Sequence, residues 1–362
     1  MTWFDRPRPG PALVVVMAAA LCLLLVACDD APKEKTPARI VLIPKITGNA
    51  FFEEANNGAQ KFAEKNGFIV EYRGSDTADV QDQVEIVRQA VRDGAQGISI
   101  SALEAGALDE VLKEAMSRGL AVTTWDSDVS ADARTLMVSQ GTPAQLGTML
   151  VEMASKSLRQ RGKSPTTEEI KYAWHYSQAS VSDQNSWNKA GEDYIRSNYP
   201  QWVNVAPSNY YSRQDPVKAV EVGRQILTEH PDIDVVICND STSLPGQAQA
   251  AKELGRGAED VTITGFASPN AMKDYARDGV VARWGLWDCR VQAALSCFLT
   301  YYLAGGNKIQ TGRVIEVPDI GLVEVMPNSV LDPAAANSPD SGVILLPART
   351  EFTVENMDDY DF

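Results

Sequence analysis

The sequence predicts an α/β protein built as two doubly wound parallel-sheet lobes. Apolar runs of strand length alternate with helical patterns in two successive series, and nearly every residue of each run is apolar. Strands of that kind are buried on both faces, which requires helices above and below a parallel sheet. Gly67, Gly94 and Gly119 follow helical stretches and fit left-handed C-caps that close each unit.

The first series opens with RIVLIP at 39–44. A helix over 51–65 follows, with Phe51, Ala55, Ala59, Phe62 and Ala63 on one stripe. FIVEYR (68–73) leads into a helix over 79–93, GISIS (97–101) into one over 105–118, and LAVTTW (120–125) ends the series. The second series starts with IKYAWHY (170–176) and a helix over 183–197, then VNVAPSNYY (203–211) and a helix over 216–229. DVVIC (234–238) with a helix over 243–254 and VTITGF (261–266) with one over 268–277 complete it. RGKSPTTEE at 161–169 is a surface loop. After 280 come a short strand, VARWGL, and a helix over 289–304; GVILLP at 342–347 is a last strand in a more irregular tail.

The N-terminus fixes where the folded part works. Arg6 and Arg8 precede an apolar run at 11–28 that ends in Leu25-Val26-Ala27-Cys28. A charged stretch before an apolar one is an export signal, and the small residues before Cys28 resemble a bacterial lipoprotein signal. Residues 1–27 are therefore expected to be cleaved and Cys28 to carry lipid. Residues 28–37 then form a polar, proline-containing tether. The alternative is one transmembrane anchor, for which the run is short. Either way the domain lies outside the cytoplasm, in the periplasm or at the cell surface.

Length suits two domains of ordinary size or one large one, and 44% hydrophobic residues are enough for a core. A net charge of −15 argues against nucleic acid, which needs a basic surface. Beyond Cys22 and Cys28, only Cys238, Cys289 and Cys297 remain. Cys289 and Cys297 lie two turns apart on one helix, too far for a disulfide, so these three read as small buried residues.

In open α/β sheets, ligands bind beyond the carboxyl ends of the strands. There the chain places Lys45, Phe51 and Phe52, then Asp126 and Asp128, then Ser182, Asp183, Gln184 and Trp187. Asn239, Asp240 and Ser241 follow the DVVIC run, and Trp287 and Asp288 follow VARWGL. Carboxylates that accept hydroxyls, amides and a lysine that donate, and rings that cover C–H faces suit a sugar or polyol. Each residue also has a structural explanation. Asp183 suits a helix start, Asp126 and Asp128 suit turns, and Trp125 and Trp287 suit a core. His175 and His230, the only histidines, are expected to fill a strand and a helix end. The recurrence of polar and aromatic residues at strand ends in both halves favours a binding site.

The sequence contains no GxSxG elbow, HExxH, Walker loop or glycine-rich dinucleotide fingerprint. An Asp126–Asp183 carboxylate pair would be the one route to glycoside hydrolysis. The expectation is a protein that is not an enzyme and holds no cofactor or metal, with an exported carbohydrate-active enzyme as the alternative of another class.

These residues carry a resemblance. IPKITGNAFF ending at Phe52, VTTWDSD (122–128), QGTPAQLGTMLV (140–151) and SVSDQNSW (180–187) are similar to segments of the type I periplasmic sugar-binding proteins. So are LPGQAQAA (244–251), GFASPNAM (265–272), GLWD (285–288), PNSV (327–330) and the terminal YDF. Within that family the chain most resembles the autoinducer-2-binding receptors of Lsr-type ABC transporters. The resemblance implies ligand-binding roles for Lys45, Phe51, Asp126, Asp183, Gln184 and Trp287. Where such a receptor reads PDANALP, with proline and alanine at the ligand, this chain has Asn239 and Ser241. That departure puts two new polar side chains at the site.

The resemblance also implies two lobes joined by a three-segment hinge, with crossings near 139–142, 264–268 and 304–312. The first lobe would hold 38–140 and 267–305, the second 141–266 and 306–362. The expected function is a lipid-anchored, monomeric solute-binding protein of an ABC importer that presents a small sugar-like ligand to a membrane permease. Autoinducer-2 in its hydrated furanose form is the first candidate, and another pentose, deoxyhexose or polyol the alternative. A third option is a sensor module feeding a chemoreceptor or kinase.

Overall fold

The computed structural model describes residues 37–362 apart from Pro207 and Asn209. The expected signal peptide, the lipidation site Cys28 and nearly all of the tether lie outside the described residues. No described helix is long and apolar enough to cross a membrane.

Alternation of strand and helix is realised as two parallel sheets. The first uses β1 (Arg39–Ile43), β2 (Ile69–Tyr72), β3 (Gly97–Ile100), β4 (Ala121–Trp125), β5 (Leu136–Ser139) and β14 (Gly342–Leu345), in the order β14-β5-β4-β3-β1-β2. The second runs β10-β9-β6-β7, from β6 (Ile170–Tyr176), β7 (Trp202–Asn204), β9 (Val235–Cys238) and β10 (Thr262–Gly265). β8 (Tyr210–Tyr211) pairs the far end of β6. The expected strand at 203–211 is thus two short ones, each parallel to β6. At Gly265 the sheet is so close that a Cβ would lie 2.0 Å from the Cys238 carbonyl oxygen. Only glycine fits there.

Helices cover both faces. On the first lobe α1 (Ala50–Asn66) and α9 (Cys289–Ala304) pack together on one side, and α2 (Val80–Arg92) and α3 (Ala105–Ser117) on the other. On the second, α4 (Pro143–Gln160) pairs with α5 (Ser182–Asn198), and α6 (Pro216–Glu229) with α7 (Ser243–Glu253). α8 (Pro269–Arg277) packs on α7. Helix starts follow the sequence chemistry: Asn49 and Asp215 cap α1 and α6, and Thr142 with Gln145 forms a capping box on α4. Gly67 caps α1 in the left-handed conformation at φ 74°, as read from sequence. Cys238, Cys289 and Cys297 are buried and free.

The lobe boundaries correct the expectation at two of three crossings. The chain passes between the sheets at 140–142, at 287–288 and at 346–349. β11 (Trp284–Leu286) extends the second sheet through a bridge from Gly285 to Phe266, and β15 (Thr350–Phe352) pairs with β11. Residues 269–286 therefore belong with the second lobe. GVILLP does form a strand, but it closes the open edge of the first sheet beside β5. A buried arginine explains its placement. Arg134 binds Asp128 through Nε (3.0 Å) and Nη2 (2.7 Å), while Nη1 holds Asn328, Ser341 and the Gly342 carbonyl at 2.8–3.0 Å. β12 (Val314–Val317) and β13 (Gly321–Glu324) form an antiparallel hairpin in the stretch read as irregular.

His175 lies within β6 of the second sheet, fully buried. Its Nδ1 meets Gln247 Oε1 at 3.0 Å and its Nε2 has no partner, so burial lowers its pKa to about 4. A folded pKa below the unfolded one contributes stability at neutral pH that is lost as pH falls. With the pKa lowered from the ordinary 6.5 to about 4, protonation in the unfolded chain removes about 2 kcal/mol between pH 7 and pH 5. Urea unfolding at both pH values should show that loss, and His175→Gln should flatten it by the same amount. An equal slope in the variant would assign the pH response elsewhere.

Candidate functional site

Where the two lobes meet, residues from the carboxyl ends of both sheets converge. Pro44 ends β1 and turns Lys45 inward, where it is 3% exposed. A lysine survives there only with a partner. Its Nζ lies 2.6 Å from Asp126 Oδ2, and the Ser101 hydroxyl donates to the same oxygen at 2.7 Å.

Asp126 sits just beyond β4 with φ +61°, one of four described non-glycine residues in the left-handed region. Ser127 N–H donates back to the Trp125 carbonyl at 2.6 Å, and Gln140 Nε2 donates to the Asp126 carbonyl at 3.0 Å. Gln140 is in turn held by Gln292 Nε2 (2.9 Å), and Gln292 Oε1 accepts from Trp287 Nε1 at 2.6 Å. One relay thus orients the acid and the tryptophan together.

The second lobe supplies the facing wall. Gln184 opens into it from the first turn of α5, its Oε1 occupied by the Ser177 hydroxyl. Asn239 follows β9; its Nδ2 reaches the Gln184 carbonyl at 3.4 Å and its Oδ1 has no partner. The Asp240 carboxylate accepts from the N–H groups of Thr242 and Ser243 (3.2 and 3.0 Å), and burial raises its pKa. Aromatic rings close the remaining sides. Trp287 meets Phe51, Trp187 and Phe266 edge-on, with centroids 5.8, 6.0 and 5.4 Å apart.

Lys45, Phe51, Asp126, Gln184, Asn239, Ser241 and Trp287 all line one cavity here, together with Phe52, Trp187 and Asp240. Asp183 stands just outside it. Its Oδ2 accepts the Asp128 backbone N–H at 2.8 Å, a bond from one lobe to the other. Burial first, then the Asp128 charge, push the Asp183 pKa up to about 7; Lys45 opposes them. A second clasp joins the lobes where Ser241 Oγ donates to Asn49 Oδ1 (3.3 Å) and Asn49 Nδ2 to Thr242 Oγ1 (3.2 Å). The lobes are closed on each other.

Gln214, Phe266 and Leu286 line the cavity without having been singled out from sequence. Phe266 and Leu286 end strand runs and were legible by position. Gln214 had no such signal. Among the described residues no cluster of His, Cys, Asp and Glu could hold a metal ion.

Two sheets with a cavity of polar and aromatic groups between them define a class, and the chain belongs to it: a model of the periplasmic binding protein domain matches residues 40–308. The chain is a solute-binding protein of that family. Among solved structures it resembles LsrB from Clostridium saccharobutylicum in complex with AI-2. The two are 56% identical, with 90% of this chain and 100% of that one covered and a TM-score of 0.89. The D-ribose/D-allose-binding protein of Pseudomonas aeruginosa is 24% identical over 280 residues, 75% of this chain and 82% of that protein. A solute-binding protein from Clostridium phytofermentas with bound L-rhamnose shares the fold at 22% identity and TM-score 0.78, covering 90% of this chain and 98% of its own.

Proposed function

We propose that the protein is the extracytoplasmic receptor of an ABC importer and that its ligand is autoinducer-2 in its hydrated furanose form. One observation carries the reading. Lys45 and Asp126 from the first lobe face Gln184 and Asn239 from the second across a cavity walled by aromatic rings. Donors and acceptors from both sides suit a ring that carries hydroxyls all round, and the rings suit its C–H faces. The cavity between the lobes is small, about 30 Å³, which excludes a chain of sugars. The 56% identity to a receptor solved with AI-2 supports that ligand in particular.

Lys45, Asp126 and Gln184 are assigned to the ligand hydroxyls, Phe51 and Trp287 to its faces, Asn239 and Ser241 to the loop beside it, and Asp183 to the bond that joins the lobes at its edge. The ligand leaves unchanged. Closure around it presents a defined surface to the permease. Cleavage before Cys28 and lipid on that cysteine would hold a monomeric receptor at the membrane. A second reading, another pentose or a deoxyhexose, is favoured by the polar side chains of Asn239 and Ser241 and by the ribose- and allose-binding relative.

Thermal unfolding with autoinducer-2, D-ribose, D-allose and L-rhamnose separates the two. At a hundred times Kd the true ligand adds about 2.7 kcal/mol, a rise in Tm of about 4 °C. Autoinducer-2 is expected to give that rise. A shift with one of the sugars and none with autoinducer-2 would transfer the assignment to that sugar.

A further inference from the structure

We propose that Gln214 determines ligand specificity by donating a hydrogen bond to an oxygen on the ligand's second-lobe face. This rests on the cavity being a site for a hydroxyl-rich ring. Gln214 is 4% exposed and lines the cavity beside Gln184 and Asn239, yet its Nε2 has no partner. A buried amide donor without an acceptor is unfavourable, so folded structures seldom keep one.

The backbone makes the placement more costly still. Arg213 and Gln214 both lie at φ +58°, two successive non-glycine residues in the left-handed region. Nothing in their side chains favours that conformation. The surroundings impose it: Ser212 N–H donates to the Tyr176 carbonyl at 2.9 Å, Arg213 N–H to the Ser177 carbonyl at 2.5 Å, and Asp215 N–H to the Ser212 carbonyl at 3.1 Å. The turn is pinned to the end of β6 and continues directly into the cap of α6. Strain held in this way collects at functional sites.

On the same lobe, fully buried Asn239 keeps Oδ1 without a partner. The second lobe therefore offers one unfilled donor and one unfilled acceptor to the same cavity. Hydroxyl oxygens accept from the first and donate to the second. A ligand deoxygenated on this face leaves both groups unpaired, which is the strongest form of discrimination a polar site achieves.

Calorimetry on the full chain with autoinducer-2 tests this, using Gln214→Met, which keeps length without the donor, and Gln214→Gly, which also removes the strain. Both should weaken Kd roughly ten- to a hundredfold. Gln214→Gly should at the same time leave the unliganded Tm unchanged or raised, a split that a merely structural role would not give. Affinity equal to wild type in both variants overturns the proposal, as does a loss of affinity that tracks a loss of Tm. Should the wild type bind D-ribose, D-allose or L-rhamnose in place of autoinducer-2, only the ligand assignment fails, and the variants are compared with that sugar. Wild type that binds none of the four overturns both readings.

Discussion

Asp126→Ala should abolish ligand binding and remove roughly 3–5 kcal/mol of stability from the unliganded protein. The size of the effect follows from what is left behind. Lys45 is 3% exposed, and its partner within hydrogen-bonding range is Asp126 Oδ2 at 2.6 Å. Without it an ammonium is buried with no counter-charge, and the Ser101 hydroxyl loses its acceptor. Alanine also tolerates φ +61° less well than aspartate does. A double variant, Lys45→Met with Asp126→Asn, separates the two losses. It removes the ion pair as a unit and keeps an acceptor for Ser101, so stability returns to within about 1 kcal/mol of wild type. Binding does not return, because the ligand has lost both groups. Urea unfolding and calorimetry on the three proteins check this. Binding that survives in the double variant would remove the pair from the site.

Asp183→Ala should weaken ligand binding roughly ten- to a hundredfold, through a different route. Asp183 is half-buried and lies beside the cavity, not in its wall. Its carboxylate takes the Asp128 N–H and so joins the lobes. Alanine leaves that N–H without an acceptor in the closed form. Asp183→Asn keeps an acceptor and is expected to stay within about fivefold of wild type at pH 7.

The two variants also differ in their response to pH. Closing the lobes raises the Asp183 pKa to about 7, chiefly by burial and then through Asp128. Closure therefore takes up a proton, is favoured below pH 7, and weakens as pH rises through that value. Affinity of the wild type should fall between pH 5.5 and 7.5, while that of Asp183→Asn stays level. Wild-type affinity in Asp183→Ala would refute the clasp, and a pH response unchanged in Asp183→Asn would assign the proton to another group.

Much of this site was legible because the chemistry of doubly wound sheets is positional. Once RIVLIP, LAVTTW and DVVIC are read as strands, Lys45, Asp126 and Asn239 fall at their carboxyl ends, and the cavity is where the sheets meet. Gln214 escaped because its position depends on a left-handed backbone that no glycine or asparagine announces. The second and third crossings were misplaced for a related reason. β11, β14 and β15 are three or four residues long, too short for periodicity to say which sheet they join. β5 was missed on the same ground: its four residues are buried on both faces and show no alternation. Asp183 is the subtler case. Sequence put it at the helix start it occupies, but only coordinates show that its oxygen is already spent on the opposite lobe.

The pairing of Gly342 with Leu136 joins residues 206 positions apart. The edge of the first sheet stays open until nearly all of the second lobe has been synthesised, and long-range parallel pairings of this kind form slowly. Completion of the first sheet is thus a late event in folding, and β5 remains an uncovered edge until it occurs.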